Sequence, residues 1–158
     1  MSPSAVITPR NPRPPWLPDH GVIDAVPAGR WWDAVAIDGP LGHAVADRLR
    51  DAGCPGPVLC DPLGPEPRVH FLVPAHTARR WTEPDTSALG ESCYVTVTGT
   101  LDADNAGIHW ITPPSRTRPL PLVPPAALRR ALSEARAASQ TSRHNGMKPR
   151  LGQGTWTA

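Results

Sequence analysis

The chain has 158 residues, 39% of them apolar, with 22 prolines and a formal net charge of +2. That length holds one domain with a real core and is too short for two of ordinary size. Three cysteines at irregular spacing exclude a disulfide framework, and no apolar run approaches the length of a membrane span, so a cytoplasmic protein with reduced thiols is expected. The start, "MSPSAVITPRNPRPPW", adds to that expectation because it lacks the unbroken apolar core of a secretory signal.

Charge is unevenly spread. Residues 1–13 carry Arg10 and Arg13 with no acid, and residues 135–158 carry Arg136, Arg143, Lys148 and Arg150 with no acid. The stretch between them holds the other 10 basic residues and all 14 acids, a net of −4. A mildly acidic body with two basic ends attracts polyanions through those ends.

Residues 1–28 read as a proline-rich arm, because proline removes backbone donors and favours extended geometry. Its Trp16 is expected to pack on the domain that follows. "RWWDAVAIDG" (Arg30–Gly39) is the first strand, with Trp32, Ala34, Ala36 and Asp38 on one face and Trp31, Asp33, Val35 and Ile37 on the other. "GPLGHAVADRLRDAG" follows as an amphipathic helix, with Leu41, Ala44, Val45, Leu49 and Ala52 at helical spacing and Gly53 as its stop.

"PGPVLCD" and "RVHFLVP" are short strands around the turn "PLGPEP", and should pair as a hairpin. "AHTARRW" is at most one helical turn. "ESCYVTVTGTL" alternates β-branched and aromatic residues, and "DADNAG" turns it into "GIHWITPP", which predicts a second hairpin. "VPPAALRRALSEARAAS" is the last helix, opened by proline, and residues 140–158 lack periodicity and read as a disordered basic tail. The expected fold is α+β: residues 29–139 form one domain, a mostly antiparallel sheet of about five strands covered by two helices.

Few residues are spaced for chemistry. Asp33 and Asp38 fall on opposite faces of a straight strand, and Asp102 and Asp104 sit in a turn, where acids are common. Cys54, Cys60 and Cys93 have no CxxC or HxxxH partner, so no metal is expected, and no phosphate loop or dinucleotide fingerprint implies a cofactor. "GPLG" reads as a helix cap. Of the six tryptophans, Trp32 and Trp110 are assigned to the core. Trp31 beside Arg30, and Trp81 beside Arg79 and Arg80, are surface candidates for stacking on bases.

"VLCDPLGPEPRVHFLVP" followed by "LGESCYVTVTGTLDADNAGIHWITPP" resembles the N-terminal region of the bifunctional primase-polymerases of phages, plasmids and integrated elements. His70 matches that family's motif histidine, Gly90–Gly99 its second motif strand and Gly107–Pro114 its third. The family's metal-binding strand carries two acids two residues apart. Here that strand offers Asp38, with Ala36 in the partner position, while Arg68 replaces the small residue before the histidine and "TGT" replaces "PPS". One carboxylate cannot hold two ions, so the resemblance implies a catalytically depleted relative in which Asp38 and His70 mark a vestigial site. In size and in its arginine and proline content the chain also resembles short accessory proteins encoded beside the transfer genes of actinobacterial plasmids.

The function expected is therefore that of a non-enzymatic accessory protein of a mobile element, acting in plasmid maintenance or transfer. Its expected partners are single-stranded DNA, met by Arg79, Arg80, Trp81, Arg143, Lys148 and Arg150, or a plasmid-encoded protein. The alternative is a minimal metal-dependent nucleotide-binding or nucleotidyl-transfer enzyme using Asp38 and His70.

Overall fold

The computed structural model describes residues 13–102, 107–115 and 120–156, with side chains as far as Thr141. Its centre is a pair of strands, β2 (Asp33–Asp38) and β4 (Arg68–Val73), running antiparallel with Val35 opposite Phe71 and Ala36 opposite His70. Apolar residues occupy consecutive positions in both, as expected of strands buried on two faces. β3 (Val58–Asp61) joins β4 through the turn at "PLGPEP", so the first expected hairpin forms. β5 (Ser87–Leu89) and β7 (His109–Thr112) close the two edges, giving the order β5-β2-β4-β3-β7.

The second expected hairpin does not form. β6 (Tyr94–Thr98) pairs with β1 (Ile23–Pro27) as a separate two-stranded ribbon, while β7 crosses to pair with β3. β1 lies within the stretch read as a proline-rich arm. Its single proline, Pro27, ends the strand, where the missing donor costs least.

Strand alternation sends the two faces of the sheet into two cores. Val35, Ile37, Val58, Val69, Phe71 and Val73 face the helices. Against them pack α1 (Gly39–Asp51), through Val45, Ala46 and Leu49, and α2 (Pro125–Trp156), through Leu128, Ala131, Leu132 and Ala135. Ala34, Leu59, Leu72 and Trp110 face the other way and meet Val26, Val95 and Val97 of the ribbon, together with Trp16 and Leu17 of the arm. The fold is thus a three-layer α+β sandwich: two helices, a five-stranded antiparallel sheet and the ribbon.

α1 begins after Asp38, has proline in its first turn, and stops at Gly53, whose φ of 68° suits glycine. Arg48 and Arg50 in its last turn complement the helix dipole. α2 runs past Ser139, and its backbone is helical to Trp156 through the stretch expected to be a tail. Among its described side chains the last buried one is Ala135, and from Ala137 to Thr141 each is exposed.

Trp16 packs edge-on against Trp32, ring centroids 5.5 Å apart and planes at 87°, and lies 6.2 Å from Trp110. Such contacts are each worth about 1 kcal/mol beyond the area they bury. They explain how a chain with one phenylalanine and one tyrosine fills its ribbon-side core. Arg13 secures the foot of the arm by donating to the carbonyls of Pro18 and Gly99. It is therefore a structural clamp and not a free basic-end residue.

Candidate nucleic-acid interface

The two ends of the central strands carry different chemistry. At one end, Asp38 lies opposite Arg68, whose Nε and Nη2 donate to the two carboxylate oxygens at 2.8 and 3.1 Å. His70 shares this sheet face but is enclosed between Ala36 and Leu59, with 6% of its surface exposed and its Nδ1 without a hydrogen-bond partner. Burial first and the Arg68 charge second push its pKa down to about 4, against the opposing pull of Asp61 and Asp38.

Asp38 lines a shallow cavity with Asp61, Leu63, Pro65, Glu66 and Arg68; His70 does not reach it. The two candidate residues therefore share a face but no cleft, and the Asp38 carboxylate is taken by an arginine. Among the described residues no three His, Cys, Asp or Glu side chains gather as a metal ion would need. Cys60 is buried with its Sγ 3.8 Å from Nε2 of His43, and burial pushes its thiol pKa up, away from nucleophilic use.

At the other end, about 17 Å away along six residues of strand, the chain leaves β4 and turns through the 3-10 helix Thr77–Arg79. His76, which precedes that turn, adopts left-handed backbone with φ of 77°, unusual for a residue other than glycine. Asp33 fixes the turn from below. Its side chain is 1% exposed, and its Oδ2 accepts the backbone N–H of Ala78 at 2.8 Å.

This turn presents a cationic cleft of about 430 Å³, lined by Ala75, His76, Thr77, Arg79, Arg80, Pro125 and Arg129. Arg80 is exposed and makes no ion pair among the described residues. Arg79 and Arg129 meet Glu91 and Glu83 at 3.7 and 3.4 Å, long and solvated contacts that hold an arginine weakly. Arg129 also lies over the Trp81 ring, 5.0 Å from its centroid.

Trp81 itself corrects the expectation of a surface platform. It is 6% exposed, belongs to the helix-side core, and donates Nε1–H to Thr86 Oγ1 at 2.9 Å. Its sequence neighbours are charged, but the 3-10 turn rolls the ring inward under Arg129. Trp31 is half-buried, with the Arg30 guanidinium 4.4 Å from its centroid.

The structure thus brings Arg79 and Arg80 together with His76 and Arg129, neither of which sequence periodicity ties to them. Arg129 was hidden as an ordinary polar position of the last helix. The side chains of Arg143, Lys148 and Arg150, as well as Arg10 and Asp104, lie outside the described residues. Comparisons with protein-family models, curated proteins and solved structures found no match for this chain.

Proposed function

We propose that this protein binds single-stranded nucleic acid as a non-enzymatic accessory factor, through the cleft formed by His76, Arg79, Arg80 and Arg129. The observation that carries this reading is the convergence of three arginines and a histidine from two distant parts of the chain on one concave surface. Arg129 lies over the Trp81 ring, which limits its side-chain freedom, so less is lost when it meets a phosphate. A single strand suits such a surface, because its flexible backbone can follow a positively charged groove. The basic composition of α2, with Arg129, Arg130, Arg136, Arg143, Lys148 and Arg150 against one acid, Glu134, extends the same attraction. The setting we favour is the maintenance or transfer of a mobile element, supported by the arginine- and proline-rich composition.

Fluorescence anisotropy of a labelled oligothymidylate across a salt series tests this. Three phosphate contacts give a slope of about −2 in log affinity against log salt, and Arg80→Glu should reduce its magnitude by roughly 0.7 or more. If Arg80→Glu and Arg129→Glu together leave affinity and slope unchanged, the cleft is not the binding site. The enzymatic alternative gains no support here, because Asp38 is occupied by Arg68 and His70 stands apart from it.

A further inference from the structure

Behind the cationic cleft lies a second cavity, of about 320 Å³, whose lining includes Asp33, His76, Arg79, Gly90, Glu91 and Cys93. The two share His76 and Arg79 as a common wall. This cavity contains a buried acid with unspent capacity. Asp33 is 1% exposed, its Oδ2 serves the Ala78 N–H, and its Oδ1 has no hydrogen-bond partner. An oxygen left so is costly, and native structures seldom keep one without a purpose.

We infer that this cavity is a subsite for an unpaired guanine, whose base edge donates to the Asp33 carboxylate while the attached phosphate lies on the arginines next door. The inference rests on the single-strand reading above. Bases of single strands are read by hydrogen bonds to their Watson–Crick edges. A carboxylate only accepts, so it needs a base with adjacent donors and no acceptor between them. Guanine supplies these with N1–H and the N2 amine. Adenine and cytosine set a ring-nitrogen acceptor beside their amine, and thymine flanks its single N–H with two carbonyls, so each meets the carboxylate with repulsion.

A guanidinium also carries adjacent donors. The arginines of the neighbouring cleft decide between the two: they attract a phosphate, and a phosphate on a strand brings a base with it. Gly90 in the cavity wall lies close to the acid: a Cβ there would stand 3.1 Å from Ala78 Cβ and 3.5 Å from Asp33 Oδ2.

Two measurements on the full chain test this. In saturation-transfer NMR with nucleosides, which carry no phosphate, guanosine should show transfer, inosine (lacking the N2 amine) much less, and adenosine none. In anisotropy, a thymidine pentanucleotide with one central guanine should bind roughly tenfold more tightly than the same strand with inosine. Asp33→Asn, which keeps an oxygen for the Ala78 N–H, should erase both preferences while leaving the salt slope intact. Equal transfer to guanosine and adenosine, preferential transfer to arginine amide, or no transfer to guanosine overturns the guanine subsite. The cleft stands or falls separately, on the salt series with oligothymidylate.

Discussion

Arg68 grips Asp38 with two nitrogens across the β2–β4 pairing, and the pair sits at the edge of the protein, with side chains 41% and 49% exposed. Solvent screening keeps such a pair weak despite its good geometry. Asp38→Ala should therefore lower unfolding free energy by no more than about 1 kcal/mol in urea titration. Oligonucleotide affinity should not change, because the cleft is at the opposite strand ends. Millimolar Mg²⁺ with a nucleotide should leave Tm unmoved; a rise abolished by Asp38→Ala would reinstate the enzymatic reading.

His70 gives a pH dependence of known sign. Its folded pKa, about 4, lies below the ordinary 6.5, so the unfolded chain takes up the proton first. The stability tied to its neutral state is fully present above pH 6.5 and is lost as pH falls towards 4. The loss amounts to about 3 kcal/mol at most. His70→Leu removes the orphaned Nδ1 along with the titration, so it should flatten that slope and hold or raise stability at pH 7. Urea titrations at pH 4.5 and 7 on both proteins measure this, and a parallel fall in the two would place the acid sensitivity elsewhere.

Trp81 supports Arg129 from beneath. Trp81→Phe keeps a ring under the guanidinium but leaves Thr86 without its donor, and should cost about 1 kcal/mol in stability with DNA affinity changed less than twofold. Trp81→Ala should cost about 3–5 kcal/mol. A large affinity loss in Trp81→Phe at unchanged stability would show that bases stack on this ring after all.

Gly42 in α1 reverses the usual rule for helices. Replacing glycine by alanine in a helix ordinarily stabilises by about 1 kcal/mol. Here the added Cβ would lie 2.5 Å from the Ile37 carbonyl oxygen and 2.9 Å from Val69 Cγ2, so the helix must lift off the sheet. Overpacking of this kind costs about 1–3 kcal/mol, and Gly42→Ala should lower Tm. A higher Tm would mean that α1 rides further from β2 than described.

The parts of the fold that periodicity encodes were legible: β2 with its two faces, α1 between Gly39 and Gly53, and the β3–β4 hairpin around "PLGPEP". What escaped depends on pairing over long distances. β6 and β7 are neighbours in sequence, so a hairpin was the natural expectation, yet their partners are β1 and β3. β1 was masked by the prolines around it, and β5, with three residues, is too short to show alternation.

The candidate site shows the same division. Arg79 and Arg80 were visible as a cluster, whereas Arg129 reaches them only through the docking of α2. Trp81 was misplaced because its exposed neighbours suggested exposure. Asp33 drew notice only as half of a carboxylate pair, since nothing local reveals that the turn at Ala78 folds over it.

The sheet ends on two short strands, three-residue β5 and four-residue β7, the latter joined through an irregular register at Val58 and Leu59. Edges so brief and uneven are poor templates for another chain. The ribbon differs: Ile23 and Tyr94 are 56% and 65% exposed on a sheet of only two strands. If crowding ever drives copies of this protein to share backbone hydrogen bonds, the ribbon is where polymerisation would begin, and the central sheet would stay out of it.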